Sequence, residues 1–413
     1  MLVTNYVRRL VFLAALILAM PGSSWAEVPK ACPPIPGQPP SPKLPDPPFK
    51  DQTPKAIEQI IDQKRVHYNG PVEGAGYCLY VPSSKADGLI LFLHGFTFDP
   101  HAGSADPMMQ FLVSHSGYYV VYPYGPELFR TGTYPRRAVD ALNDALAVLK
   151  SQYQVDIKKL AVVGHSLGGT SALRVAAEWK GAPPISVIIP IDPGPPTESA
   201  LMTGLKATAC DATGCESWDL GDGLKSISCS TRLLVIQAQS TSEGPCVCPQ
   251  GQTCHCQALY EKLPQIARYV GTSQTPQRNF LRVPHDTSHA HPAPGVLGPT
   301  IPSTHLGPMV AAHIPSFVCG VFTHGEIDYG CYLTYMDYWG YWRPVLAAIQ
   351  EAFTGQPVSP DYSPYCSSKG TAGTCATTRD MGKWQSDGKP ATPMLNAADI
   401  PELVVNYPDY CPK

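Results

Sequence analysis

The feature that most constrains the fold of this chain is a series of short segments that are apolar at every position. Residues 88–93 read Gly-Leu-Ile-Leu-Phe-Leu, and residues 160–163 read Leu-Ala-Val-Val. A strand without a polar face is typical of a parallel sheet that is buried on both sides. We predict strands at residues 76–81, 88–93, 118–122, 160–163, 185–191, 232–238 and 279–283.

Segments with the helical spacing of apolar residues separate many of these strands. Helices are predicted at residues 139–150, 168–180, 256–270 and 341–353, with a short helix at residues 56–64. A strand, a helix and a second strand form a crossover that places the two strands in parallel. The sequence therefore predicts an α/β fold with a mostly parallel central sheet flanked by helices.

The first 26 residues have the parts of a secretory signal peptide. Arg8 and Arg9 supply the positive region, residues 10–20 the apolar region, and residues 24–26, Ser-Trp-Ala, the cleavage site. The apolar run is short for a membrane span, so no transmembrane segment is expected. We predict a secreted or periplasmic protein.

The remaining chain has three predicted parts. Residues 27–50 form a Pro-rich arm, since they contain three Pro-Pro pairs and no apolar periodicity. Residues 51–354 form the main domain. Residues 355–413 lack periodicity and are predicted to be a cysteine-containing tail packed on that domain.

The chain has 14 cysteines, all after residue 26. An even number in an exported protein predicts a disulfide framework, here up to seven bridges that staple the loops and the tail. A zinc site is the alternative for the four cysteines within residues 246–256. Their Cys-x-Cys spacings differ from the usual zinc-finger spacing, so bridges are favoured and no metal is predicted.

The charge pattern bears on the class of partner. Lys and Arg number 30 against 33 Asp and Glu, a net charge of −3, and no basic run occurs. Nucleic acid is therefore not an expected partner.

Residues 164–168, Gly-His-Ser-Leu-Gly, carry the clearest chemical signal. They lie between a predicted strand and a predicted helix, which is the context of a nucleophile elbow. The glycines leave room for a strained turn, and the helix N-terminus favours negative charge beside the serine. Ser166 is the predicted nucleophile.

The oxyanion hole is predicted from two backbone amides. One follows the nucleophile, at Leu167, and the other belongs to Phe96, in the His94-Gly95-Phe96 sequence after strand 88–93. An ordinary strand-end turn is the alternative for His94 and Gly95.

A serine nucleophile needs a histidine to accept its proton. His289 is favoured because it follows the last predicted strand by about six residues, with His285 and His291 as alternatives. The acid is predicted to be Asp192, at the end of strand 185–191. Glu243 is the alternative acid, and a simple turn before Pro-Gly is the alternative role for Asp192.

Over about residues 76–354 the chain resembles the α/β-hydrolase superfamily in the order of its strands and helices along the sequence, in His94-Gly95, in the elbow and in the late histidine. The Ile-Asp-Pro context of Asp192 resembles chlorophyllases, platelet-activating-factor acetylhydrolases and pancreatic-type lipases. The chain is also similar to secreted cutinase-like polyester hydrolases, but lacks their aspartate after strand 232–238. The resemblance implies an α/β-hydrolase fold and a secreted serine esterase or lipase. It would need no cofactor and would act on small-molecule, lipid or polymer esters.

The sequence leaves both the substrate and the class of function open. Residues 314–344 are rich in aromatics, which predicts either the wall of an apolar acyl pocket or the packing of the late helix. A peptidase or amidase on the same fold, and a catalytically inactive secreted binding module, are the alternative functions.

Overall fold

The computed structural model describes eleven segments of the chain. They are residues 65–68, 76–95, 106–123, 134–193, 227–228, 230–238, 278–284, 337–356, 363–365, 381 and 394–396. The chain divides between residues 31 and 32, and all described residues lie in the second unit, residues 32–413. The predicted signal peptide, the Pro-rich arm and the helices at 56–64 and 256–270 lie outside the described residues.

Within the described segments, nine strands form one sheet in the order β1-β2-β4-β3-β5-β6-β7-β8-β9. They are β1 (Arg65–Tyr68), β2 (Tyr77–Tyr80), β3 (Gly88–Leu93), β4 (Tyr119–Pro123), β5 (Lys159–His165), β6 (Ile185–Ile191), β7 (Arg232–Ala238), β8 (Arg278–Val283) and β9 (Leu395–Asn396). The six strands from β4 to β8 in this order are parallel, and β1, β2 and β9 pair antiparallel at the two edges. The predicted mostly parallel sheet is confirmed.

Helices flank this sheet. They are α1 (Asp106–Ser116), α2 (Tyr134–Gln152), α3 (Leu167–Glu178) and α4 (Arg343–Thr354), the last continuing from a π-helical turn at Asp337–Trp342. The amphipathic helix α2 presents one stripe of small and apolar residues to the core. Its buried residues are Tyr134, Pro135, Arg137, Ala138, Ala141, Leu142, Ala145 and Leu149.

The core lies between the sheet and helices α2 and α3. Every residue of β3 is fully buried, as its apolar sequence predicts. Alternate residues of β3 and β5 share a hydrophobic cluster with both helices, including Leu91, Val162, Ala141 and Ala172. This packing holds the ends of β3, β5 and β6 in fixed positions at the carboxyl edge of the sheet.

Part of the tail region also contacts the domain. The Asn279 side chain on β8 donates a 2.7 Å hydrogen bond to the Pro364 carbonyl oxygen. The Ser363 hydroxyl donates to Glu351 of α4 at 2.7 Å, and Glu351 in turn accepts from Arg232 of β7 at 2.7 Å. Residues 363–365 are therefore hydrogen-bonded to β8 and to α4, and through Glu351 they are linked to β7.

Two aromatic residues of the 314–344 segment are packing residues. Tyr341 and Trp342 are fully buried, and the Trp342 ring lies 5.3 Å from the ring of Phe111 in α1. Trp339 is half-buried, with the Arg343 guanidinium 4.3 Å from its ring centroid. For Tyr341 and Trp342, the packing interpretation is the correct one.

Cys78 is the one cysteine among the described residues, and it is disulfide-bonded. The pairing of the other thirteen cysteines stays a prediction, and so does the choice of bridges over zinc at residues 246–256.

No described group of three His, Cys, Asp or Glu side chains is arranged to hold a metal ion. In the same part of the chain, none of the helices is long and apolar enough to cross a membrane.

Candidate active site

Ser166 occupies a sharp turn between β5 and α3. Its backbone angles are φ 56° and ψ −123°, a region that non-glycine residues rarely enter. The turn is held on both sides, because the Ser166 N–H donates to the Ile191 carbonyl at 3.0 Å and the Ser166 carbonyl accepts from the Gly169 N–H at 2.9 Å. The Ser166 hydroxyl does not cap the helix. This is the strand–turn–helix geometry of a nucleophile elbow.

Three glycines allow the backbone segments around Ser166 to approach closely. A Cβ atom at Gly164 would overlap the carbonyl of Gly168, and one at Gly168 would overlap the carbonyls at the end of β3. A Cβ at Gly169 would lie 3.0 Å from the backbone of Pro193. The first turn of α3 therefore lies directly against the ends of β3 and β6.

Asp192 immediately follows β6 and is fully buried. Its N–H donates a 2.6 Å hydrogen bond to the Ile236 carbonyl of β7, and its φ of 44° is left-handed. Among the described residues, the non-glycine positions with positive φ are Gln154, Ser166 and Asp192. Such strain costs about 1–3 kcal/mol at each position and clusters at functional sites. Two of these three positions are thus the predicted nucleophile and acid.

The end of β3 lies beside Ser166. A Cβ atom at Gly95 would be 2.8 Å from the Ser166 Cβ, so only a glycine fits here without a shift. Leu167 is the first residue of α3, where backbone N–H groups have no carbonyl partner within the helix and the helix dipole favours an anion. Gly95 and Leu167 therefore flank the serine from two chain segments.

The other predicted site residues lie outside the described segments: Phe96, Glu243, His289, and the alternatives His285 and His291. The described segments that precede them in sequence contain β3, β7 and β8. Because β3, β5, β6, β7 and β8 are parallel, the carboxyl ends of these strands lie at the edge that holds Ser166. The roles of these residues stay predictions.

Tyr134, which no sequence motif singled out, contacts the same region. Its hydroxyl accepts a 3.2 Å hydrogen bond from the backbone N–H of His94, 40 residues away in sequence. Burial raises the pKa of Tyr134 far above its ordinary value, so its hydroxyl stays neutral. The sequence carried no signal for this contact because the predicted helix began only at residue 139.

Comparison with known proteins finds a family model that matches the central part of the chain. Residues 90–234 match the alpha/beta hydrolase family. The chain has the α/β-hydrolase fold. The matched segment runs from β3 to β7 and contains the elbow and Asp192. The finer resemblances of this chain, to chlorophyllases, platelet-activating-factor acetylhydrolases, pancreatic-type lipases and cutinase-like enzymes, stay predictions.

One curated relative of this chain is the bifunctional acetylxylan esterase/xylanase XynS20E of Neocallimastix patriciarum. The two are 32% identical over 105 residues, which is 24% of this chain and 15% of that protein. The chain thus spans a small part of its relative's length.

Two solved structures are similar at low sequence identity. The LpqC poly(3-hydroxybutyrate) depolymerase of Bordetella parapertussis is 15% identical with a TM-score of 0.35, covering 57% of this chain and 88% of that one. A thermostable esterase of Pseudomonas putida ECU1011 is 18% identical with a TM-score of 0.36, covering 56% and 80%.

Proposed function

We propose that this protein is a secreted or periplasmic serine hydrolase that cleaves carboxylic esters through an acyl-enzyme. The observation that carries the proposal is the strained Ser166 turn at the N-terminus of α3, with the strained, buried Asp192 on the neighbouring strand end. The similarity to a relative named as a bifunctional acetylxylan esterase/xylanase supports ester chemistry.

In the proposed mechanism, the Ser166 hydroxyl attacks the ester carbonyl carbon while His289 accepts its proton. The backbone amides of Phe96 and Leu167 donate hydrogen bonds to the oxyanion of the tetrahedral intermediate. The intermediate collapses as the imidazolium returns the proton to the leaving alcohol. Water, activated by the same histidine, then releases the acid and restores the serine.

Asp192 is the proposed acid that orients His289. A buried carboxylate requires hydrogen-bond donors or positive charge nearby, and the imidazolium formed during catalysis supplies both. The 2.6 Å bond from its N–H to Ile236 fixes the backbone of Asp192 between β6 and β7. A residue held this firmly suits an orienting role better than Glu243, which follows Ala238 by five positions.

The substrate is proposed to be an apolar ester, whether lipid-like, aryl or polymeric.

The predicted signal peptide and the disulfide at Cys78 support export, since disulfides persist in oxidising compartments. The proposal requires no metal or organic cofactor, because serine, histidine and backbone amides supply every step.

The experiment compares two panels of chromogenic substrates on the purified protein. One panel contains p-nitrophenyl esters of increasing acyl length, and the other contains aminoacyl p-nitroanilides. The proposal predicts turnover of the esters with kcat/KM at least 100-fold above that of the anilides. Preferential turnover of the anilides would establish a peptidase or amidase, and turnover of neither panel would favour an inactive binding module.

A further inference from the structure

The strained turn at Ser166 needs support from the segments around it. A non-glycine residue with such backbone angles persists only where the surrounding contacts over-determine its conformation. One support comes from β6, because the Ser166 N–H donates to the Ile191 carbonyl at 3.0 Å. The other neighbour of β5 in the sheet is β3, and the end of that strand lies against the same turn.

The end of β3 contacts the turn at two places. A Cβ atom at Gly95 would lie 2.8 Å from the Ser166 Cβ, so the Gly95 backbone packs directly against the serine side chain. A Cβ atom at Gly168 would overlap the carbonyl oxygens of Leu93 and His94. The backbone of residues 93–95 thus contacts both the serine and the first turn of α3, and its position restricts the positions open to the Ser166 side chain.

Two hydrogen bonds fix this backbone beyond the register pairs of β3. Those pairs end at Leu91 toward β4 and at Leu93 toward β5. The buried N–H of His94 needs an acceptor, which the Tyr134 hydroxyl supplies at 3.2 Å. The His94 Nδ1 lies 2.8 Å from the Gly95 carbonyl oxygen, and since a carbonyl only accepts, Nδ1 carries the hydrogen and donates it.

Aromatic contacts restrict the same histidine. His94 is 1% exposed, and its imidazole lies 5.0 Å from the ring of Tyr122 and 5.9 Å from the ring of Tyr134. Tyr134 is fully buried at the first residue of α2, whose apolar stripe packs on the sheet. Tyr134 therefore joins a packed helix to the backbone that lies against Ser166.

We infer that Tyr134 and His94 are positioning residues for the nucleophile. Tyr134 anchors the end of β3 to α2, and the His94 imidazole fixes the Gly95 carbonyl. Gly95 in turn restricts Ser166 to the geometry in which its hydroxyl attacks. Both side chains act through the Gly95 backbone and not through contact with the reacting atoms. The inference rests on the proposed function, because it assigns a cause to the position of the proposed nucleophile.

Substitution Tyr134→Phe tests the first link, because it removes one oxygen atom and keeps the buried ring. Tyr77→Phe is the matched control. Tyr77 is also fully buried, and its hydroxyl donates to Asp144 of the same helix α2 at 3.0 Å, but the bond does not involve the end of β3. Both variants lose one hydrogen bond of α2, so their melting temperatures should fall by similar amounts.

The readouts are the second-order rate constant for labelling of Ser166 by a fluorophosphonate, and kcat and KM for p-nitrophenyl butyrate. The labelling rate reports the reactivity of the serine itself, which a merely structural role of Tyr134 would not change. A displacement of about 1 Å at a reacting group can cost about 10²-fold in rate. For Tyr134→Phe we expect labelling and kcat to fall together by about 10-fold or more, with KM within about twofold of the parent. Tyr77→Phe should keep the parental values.

A second pair of variants tests the imidazole. His94→Leu should lower the labelling rate and kcat as Tyr134→Phe does, and His94→Gln should recover part of both, because its amide can donate to the Gly95 carbonyl. A parental labelling rate in Tyr134→Phe, or equal losses in Tyr134→Phe and Tyr77→Phe, would overturn the inference and leave the proposed function standing. A parent protein that neither takes the label at Ser166 nor hydrolyses an ester would overturn the proposed function and this inference with it.

Discussion

The backbone N–H of Ser166 donates a 3.0 Å hydrogen bond to the carbonyl oxygen of Ile191. This bond follows the last register pair of β5 and β6, His165 with Ile191, and joins the elbow to the residue before Asp192. The spacing between the proposed nucleophile and the proposed acid is therefore set by sheet pairing. A loop of variable conformation is not needed to bring the two residues together.

The acid is tested by Asp192→Asn. A histidine without its carboxylate partner adopts the wrong tautomer, and the equivalent change in a known triad lowers kcat by about 10⁴-fold. Asparagine tolerates the left-handed φ of 44° at this position, so the fold should be kept. We expect kcat on a short-chain ester to fall by at least 10³-fold, with a melting temperature close to that of the parent.

Glu243→Gln is the matched control for this change, because it alters the alternative acid in the same way. It should leave kcat near the parental value. A near-normal kcat in Asp192→Asn, together with loss of activity in Glu243→Gln, would move the acid to the loop after β7. Asp192 would then serve as a turn residue.

The close approach of α3 to β3 is tested by Gly168→Ala. The added methyl group would overlap backbone carbonyl oxygens of Leu93 and His94, which cannot rotate away as a side chain does. We expect lost ester turnover and a melting temperature lowered by several degrees. Gly355→Ala is the control: its φ of 74° is also unfavourable for alanine, but no atom lies within 4 Å of the new Cβ. It should cost about 1 kcal/mol of stability and leave kcat unchanged.

The parts of the fold that could be predicted from the sequence are those encoded by a short continuous run of residues. Strands β3, β6 and β7 have the predicted bounds, because a short run of mostly apolar residues is typical of a strand in a parallel sheet buried on both faces. Helix α1 and strands β1 and β9 were not predicted. Strand β9 has only two residues, and its pairing with β8 bridges more than 100 positions of the chain.

The features of the candidate site that could be predicted are also those encoded by neighbouring residues. The turn at Ser166 was predictable because Gly-x-Ser-x-Gly encodes it within five residues. The positive φ of Asp192 and the bond from Tyr134 to His94 depend on contacts between segments far apart in sequence. Helix α2 begins five residues earlier than predicted, at Tyr134, because Pro135 is acceptable in a first helical turn.

The contact between the tail and the domain is tested by Glu351→Ala. Glu351 accepts from Arg232 and from Ser363, and both charged side chains are 11% exposed. Removing one partner of a buried pair leaves the other charge uncompensated, which costs about 3–5 kcal/mol. Denaturant unfolding should show a loss of this order. The exposed Lys158–Asp156 pair is the control, and Asp156→Asn should leave the denaturation midpoint unchanged. An unchanged midpoint for Glu351→Ala would contradict the structural role of the pair.

The disulfide framework is tested by counting thiols. Alkylation of the denatured, unreduced protein should modify few of the 14 cysteines, and the same protein after reduction should show all of them. Cys78→Ser should lower the free energy of unfolding by about 2–5 kcal/mol, the usual cost of losing a native bridge. Eight or more free thiols in the unreduced sample would contradict the disulfide framework and would favour the alternative, a metal site at residues 246–256.

A fluorophosphonate probe followed by peptide mass spectrometry decides whether Ser166 is an activated nucleophile. The peptide containing Ser166 should be labelled stoichiometrically, and ester turnover should be lost in step with labelling. Ser166→Ala should show no labelling, and Ser171→Ala, which removes a buried hydroxyl one turn later in α3, should be labelled as the parent is. Labelling that persists in Ser166→Ala, or ester turnover that survives this substitution, would show that Ser166 is not the nucleophile.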